Sequence, residues 1–188
     1  SSRRQPRESR EALEAALVLF ERLGDRHGLA LCRRDLALLE RQCGADDEAL
    51  RLYGLAIDDF GAVDDVVGRA SVLTQRAHIR MRRGDGAIAH AELEEALETY
   101  RSAGYVGGEA QALRRVGQVL AQRGEFAEAE RILDKVLLMV RHGGDVIGEG
   151  HLLRNLGEVN AEMGRFQEAK DLFDRALAVR EQVMDHGG

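Results

Sequence analysis

Apolar and polar residues alternate at helical spacing along almost the whole chain, in stretches separated by short glycine turns. In the last stretch Ala169, Phe173 and Ala176 lie three or four residues apart. Residues at this spacing share one face of a helix. Small side chains admit a neighbouring backbone, and a large side chain between them fills the remaining space. The pattern therefore predicts pairs of packed α-helices.

The whole pattern returns every 40 residues. Two glycine series and several small-residue series keep this period: Gly28, Gly68, Gly108, Gly148 and Gly188; Gly44, Gly84, Gly124 and Gly164; Ala37, Ala77, Gly117 and Gly157; Ala49, Ala89, Ala129 and Ala169. The Gly44 series falls just past the end of the first helix of each pair, where a left-handed residue closes a helix best. A fixed period of this length is typical of stacked helical repeats.

The register of the repeats predicts the organisation of the chain. We expect a disordered or tag-derived N-terminus over residues 1–8, followed by a single array over 9–188. Within the array we predict a lone second helix over 9–27, followed by four full repeats over 28–67, 68–107, 108–147 and 148–187. This gives about nine helices. Because the first helix lacks a partner and the last residues start a further unit, both ends are expected to be cut from a longer array. Native, frayed ends are the alternative.

The residues of the fourth repeat resemble the tetratricopeptide repeat, position by position. The matching residues are Leu156, Gly157, Gly164, Ala169, Phe173 and Ala176. The resemblance implies an all-α fold, an α-solenoid of antiparallel helix pairs wound as a right-handed superhelix. The period of 40 exceeds the usual 34. The chain is similar to the long-repeat branch of this family. That branch includes cell-polarity adaptors, kinesin light chains and arms of bacterial signal-transducing ATPases and antibiotic-regulatory transcription factors.

Composition narrows the classes of function. A formal net charge of −6 argues against a protein that binds nucleic acid over its whole surface. No apolar run is long enough to span a membrane, and the polar, arginine-rich N-terminus lacks a secretory signal. Cys32 and Cys43 fit neither a disulfide framework nor a zinc pattern, so we interpret them as packing residues in a reducing compartment. These features predict a cytoplasmic protein.

Motifs for chemistry are absent from the sequence. It contains no P-loop, no dinucleotide fingerprint, no H-E-x-x-H and no G-x-S-x-G. The six histidines never pair three or four residues apart, so we predict no metal site. We expect no cofactor and no enzyme activity.

In tetratricopeptide arrays the first helices line a concave groove, and the resemblance places the ligand contacts at a few repeated positions. One such position holds Arg34, Thr74, Arg114 and Arg154, and its neighbour holds Asp35, Gln75, Arg115 and Asn155. The residues predicted to bind are Arg34, Arg114, Arg154 and Asn155, with His78, Arg115, Gln118 and His151 behind them. Arginine presents a planar fork that suits carboxylates, so an acidic peptide is the expected ligand.

We interpret the chain as a module that binds a peptide or protein segment, within a larger cytoplasmic bacterial regulator. Three other interpretations stay open. The arginines could simply solubilise an exposed face and pair with Glu158 and Glu162. The array could be a structural element that assembles through its uncapped ends. It could also be the small-ligand sensor arm of a transcriptional regulator.

Overall fold

A computed structural model describes residues 4–185, and this part of the chain is helical throughout. It contains nine α-helices and no strand, so the predicted number of helices is confirmed within these residues. The helices are α1 (Arg4–Leu23), α2 (Arg26–Gln42), α3 (Asp46–Ala62), α4 (Val66–Arg82), α5 (Gly86–Ser102), α6 (Val106–Gln122), α7 (Phe126–Gly143), α8 (Val146–Glu162) and α9 (Phe166–Asp185). The even-numbered helices α2 to α8 start 40 residues apart, as do α3 to α9.

Each first helix packs against the second helix of its own pair, antiparallel to it. The fold is therefore an α-solenoid of helix pairs, as the sequence predicts. Helix α1 begins at Arg4, five residues before the expected start at Ser9. Pro6 is compatible with this start because a proline in the first helical turn removes no intrahelical hydrogen bond. Of the segment predicted to be disordered, residues 1–3 lie outside the described part.

The turn inside each pair follows one backbone pattern, shown here for Gly44. This residue has a φ of 80°. Its N–H donates to the Arg41 carbonyl at 3.1 Å, and the next N–H, of Ala45, donates to the Glu40 carbonyl at 2.9 Å. This is a Schellman cap, which supplies partners for carbonyls that the helix end would leave free. The predicted left-handed glycine is confirmed there and at Gly84, Gly124 and Gly164.

An aspartate caps the N-terminus of three of the first helices. Its carboxylate accepts a hydrogen bond from the N–H three residues on, in the pairs Asp25–Gly28, Asp65–Gly68 and Asp145–Gly148, at 2.9, 2.7 and 2.8 Å. Such a cap satisfies a backbone donor that has no partner within the helix. Helix α6 has Tyr105 at this position and no side-chain cap.

The chain folds as two compact units, which divide between Ala103 and Gly104. The first unit holds α1 to α5, with successive helices packed against each other. Its core contains the aromatic side chains of Tyr53, Phe60 and Tyr100, all shielded from solvent. Asp59, only 2% exposed, pairs with Arg26 and Arg33 of α2 and so ties α3 to α2.

A buried ionic cluster in the first unit interrupts the apolar pattern of the repeat. Arg76 of α4 stands at a position where the other repeats are apolar, and Arg80 where they have Glu40, Leu120 and Asn160. Both guanidinium groups lie beside the carboxylate of Glu92 of α5, at 2.8 and 3.0 Å. Burial raises the pKa of Glu92, while the two arginines oppose that rise. The arginines therefore turn toward Glu92, a buried acid that stands where the other repeats have Leu52, Ile132 and Leu172.

The second unit holds α6 to α9, again with successive helices in contact. Leu133 of α7 is fully buried in its core. Glu130 of α7 accepts hydrogen bonds from Asn160 of α8 at 3.2 Å and from Arg165 at 2.8 Å, so one carboxylate joins α7 to α8 and to the residue that precedes α9. The division of 9–188 into one array of repeats stays a prediction.

Candidate binding site on α6 and α8

Six of the eight predicted binding residues lie in the second unit, on the first helices of its two pairs. Helix α6 carries Arg114, Arg115 and Gln118, and α8 carries His151, Arg154 and Asn155. On each helix the three residues are spaced by one, three or four positions and so fall on one side of it. The two helices contact each other directly. We call these six residues the α6–α8 site.

Arg114 is the cation of the site without a partner. It is half-buried, and no hydrogen bond or ion pair joins it to the residues that the structure describes. Burial lowers the pKa of its guanidinium from the usual value, and the positive charge of Arg154 lowers it further. The negative charge of Asp145 acts in the opposite direction and raises that pKa. Arg114 is thus a partly desolvated charge that lies in the field of a second arginine.

His151 lies in the same positive field. Although its side chain is exposed, desolvation is the largest influence that lowers its pKa, followed by repulsion from Arg114 and then from Arg154. Asp145 raises the pKa, and Arg115 lowers it slightly. The imidazole is therefore disposed to stay neutral at neutral pH, because a third positive charge is unfavourable there.

Asn155 is only 2% exposed, and neither its amide nitrogen nor its amide oxygen has a hydrogen-bond partner among the described residues. A buried polar group without a partner costs about 1–3 kcal/mol of folding stability. Most such groups in proteins find a partner, so an orphaned side-chain amide in the middle of a predicted site is notable.

The remaining members of the site have partners on their own helices. Arg115 donates to the Gln118 side-chain oxygen at 3.0 Å. Arg154 pairs with Glu158 at 3.4 Å, and both side chains are 56% exposed, so solvent screens this pair strongly. The alternative that the arginines only pair along their own helix therefore describes Arg154, whereas it does not describe Arg114.

The other two predicted residues, Arg34 and His78, belong to the first unit. Arg34 donates to the carboxylate of Asp35 at 2.8 Å, so its charge is partly neutralised by its neighbour. His78 Nδ1 lies 2.9 Å from a guanidinium nitrogen of Arg41. An arginine can only donate, so Nδ1 accepts and the ring proton lies on Nε2.

Two features are absent from the described residues. No three histidine, cysteine or acidic side chains come together in this region as a metal ion would require. None of the helices in residues 4–185 combines the length and the apolar character needed to cross a bilayer.

Known structures of similar fold come from several repeat proteins. BtubC (BKLC) from P. vanneervenii is 24% identical, with a TM-score of 0.76 over 97% of this chain and 76% of that one. The apo form of RapI is 14% identical, with a TM-score of 0.82 over 98% of this chain and 67% of that one. A Rap protein complexed with competence and sporulation factor is 17% identical, with a TM-score of 0.76 over 82% of this chain and 44% of that one. At these identities the likeness shows the fold alone.

The sequence itself matches one family. The tetratricopeptide repeat model matches residues 68–137 and 108–182, which together cover more than half of the chain. No curated protein matches it in sequence. Proteins built from these repeats are generally scaffolds without catalysis, and their binding surfaces come from the stacked helices. The chain belongs to the tetratricopeptide repeat family and is a protein-interaction repeat module.

Proposed function

We propose that the chain binds an acidic peptide or protein segment at the α6–α8 site. The observation that carries this proposal is Arg114, a half-buried guanidinium that no hydrogen bond or ion pair joins to the described residues and that lies in the field of Arg154, with Asp145 opposing that field. Removing a cation from water without a counter-charge is unfavourable. A carboxylate from a ligand supplies that counter-charge, and the planar fork of arginine can hold it through two parallel hydrogen bonds.

The site can bind the main chain of a peptide ligand as well as its charged side chains. Asn155 has an unused donor and an unused acceptor, the two groups that pair with the backbone of an extended segment. Its amide is shielded from solvent, so a ligand reaches it only if a covering side chain moves aside. Rotamer changes of this kind are common when complexes form.

A comparison with one relative supports the proposal. A Rap protein of similar fold was crystallised in complex with competence and sporulation factor, so this architecture can hold such a partner in that protein. By the same reasoning we infer that this chain acts as a non-catalytic arm within a larger cytoplasmic bacterial regulator.

Self-assembly is the second candidate, and it depends on α9. Leu177 is 56% exposed, whereas the residues at the same repeat position, Ile57, Leu97 and Leu137, are 6–8% exposed. An apolar side chain of this size favours contact with another helix. Light scattering over a hundredfold range of concentration tests this candidate, since a constant monomer mass contradicts it.

The binding function is tested by peptide selection on the whole chain. A phage-displayed library of random peptides is panned on the immobilised protein. The enriched peptides are then synthesised with a fluorescent label. We expect the selected peptides to be rich in Asp and Glu, and their affinity to fall as salt is added. Selection of basic or purely apolar sequences, or of none, would contradict the proposal.

A further inference from the structure

Resting on the function proposed above, we propose that anions bind the α6–α8 site together with a proton, which His151 takes up. The ligand group is a carboxylate or a phosphate, since both present the oxygen atoms that guanidinium and imidazolium groups bind. Affinity at this site then depends on pH, and His151 reports its occupancy.

The arrangement places three basic side chains around one region. His151 comes three residues before Arg154 on α8, so both lie on the same side of that helix. Helix α6 contacts α8, and the charge of its Arg114 acts on both His151 and Arg154. The charged groups that act most on His151 are therefore Arg114 and Arg115 of α6, Arg154 of α8, and Asp145 at the start of α8.

Each of the nearby acids has a partner: Asp145 and Glu149 pair with groups outside the cluster, whereas Glu158 pairs with Arg154 within it. Asp145 accepts a hydrogen bond from the Gly148 N–H at 2.8 Å as the cap of α8. Glu149 pairs with Arg141 of α7 at 2.8 Å, and Glu158 pairs with Arg154. One residue beyond Arg154, the buried amide of Asn155 has no hydrogen-bond partner among the described residues.

Electrostatics explains why His151 takes up a proton when an anion binds. In the free protein desolvation, followed by the charges of Arg114 and Arg154, holds the pKa of His151 below its ordinary 6.5. A bound anion reverses the sign of the local field and so favours the imidazolium form, which raises that pKa. Linkage then requires affinity to increase as the pH falls, by up to about tenfold per pH unit between the bound and free pKa values. Above the bound pKa the affinity is independent of pH.

The experiment is an NMR titration of the histidine ring protons in the whole chain between pH 5.5 and 8. The His151→Gln variant assigns the His151 signal among the six histidines. Its pKa is measured alone, with inorganic pyrophosphate, and with a blocked pentaglutamate peptide. The Arg154→Gln variant tests the cluster without any ligand, and Arg131→Gln, on an exposed part of α7, is the matched control.

We expect a low His151 pKa in the free protein, which Arg154→Gln raises and Arg131→Gln leaves unchanged. Either probe should raise it by about one unit or more, and the pentaglutamate affinity of His151→Gln should lose its pH dependence. A peptide that binds without moving the His151 pKa would overturn the coupling and leave the proposed function intact. A response to pyrophosphate but not to the peptide would support the coupled anion site and count against peptide binding. No response to either probe would overturn the inference.

Discussion

Leu133 of α7 occupies the space beside Gly117 of α6 that any larger residue at position 117 would need. A Cβ atom there would lie 2.8 Å from Cγ and Cδ2 of Leu133. Favourable carbon contacts lie at about 3.5–4.0 Å, so the Leu133 side chain or one of the two helices must shift. The close approach of α6 and α7 thus depends on the absence of a side chain.

Replacing this glycine by alanine should destabilise the second unit. We expect Gly117→Ala to lower the free energy of unfolding by about 1–3 kcal/mol, because overpacking outweighs the better helix propensity of alanine. Gly54 is the matched control, since it lies within α3 with no atom within 4 Å of its would-be Cβ. Gly54→Ala should raise stability by about 0.5–1 kcal/mol. Urea unfolding followed by circular dichroism measures both, and equal effects would contradict this packing.

Asp64 has a φ of 56° and is the one described residue other than glycine with a left-handed backbone. The equivalent positions in the other repeats are Gly24, Gly104 and Gly144, with φ of 64–69°. We expect Asp64→Gly to stabilise the first unit by about 0.5–1 kcal/mol, because it removes the Cβ strain. The reverse change, Gly144→Asp, should cost a similar amount in the second unit. The denaturant midpoints of both variants measure these changes in stability. A loss of stability in Asp64→Gly would show that the backbone at Asp64 is not strained.

The cluster of Glu92 with Arg76 and Arg80 should be more costly to break than to remove. Glu92→Leu restores the apolar residue of the other repeats but leaves two largely buried arginines unpaired, which should cost about 3 kcal/mol. Changing all three residues to leucine should be neutral or stabilising by about 1–4 kcal/mol. Thermal unfolding of the two variants measures the contrast. If the triple variant is the less stable one, the ion pairs stabilise the fold on balance.

Asn155 should lower the folding stability of the free protein and increase its affinity for a peptide. We expect Asn155→Leu to raise the free energy of unfolding by about 1 kcal/mol, because it removes an unsatisfied buried amide. The same variant should bind the selected peptides more weakly. Gln75 is the control at the equivalent position, since its amide accepts a hydrogen bond from Tyr53 at 3.1 Å. Gln75→Leu should lower stability, and a matching loss in Asn155→Leu would show that Asn155 has a hidden partner.

The fold could be predicted from the sequence because its determinants are local. Gly44 marks a helix end by its own backbone preference, and residues such as Ala169 and Phe173 mark a packing face by their spacing. The helix starts then follow from the 40-residue period.

The site could be predicted only in part, because its properties depend on contacts distant in sequence. The pairing of Arg76 and Arg80 with Glu92 depends on the reach of long side chains between α4 and α5, although an acid in place of leucine at position 92 was a visible signal. The sequence placed Asn155 among the binding residues, but its burial and lack of a partner follow from packing. Arg34 is followed by Asp35 and Arg114 by Arg115, which is a local difference, but the partial burial of Arg114 follows from packing.

The most direct test of the binding site is a comparison of two double charge reversals. Arg114→Glu/Arg154→Glu changes the site, whereas Arg131→Glu/Arg175→Glu makes the same change of net charge on exposed positions of α7 and α9. Fluorescence anisotropy measures the affinity of each for a selected acidic peptide, with circular dichroism to confirm equal helicity. We predict a loss of at least about 100-fold in the first variant and little change in the second. Equal affinities in the two variants would contradict the assignment of the ligand to the α6–α8 site.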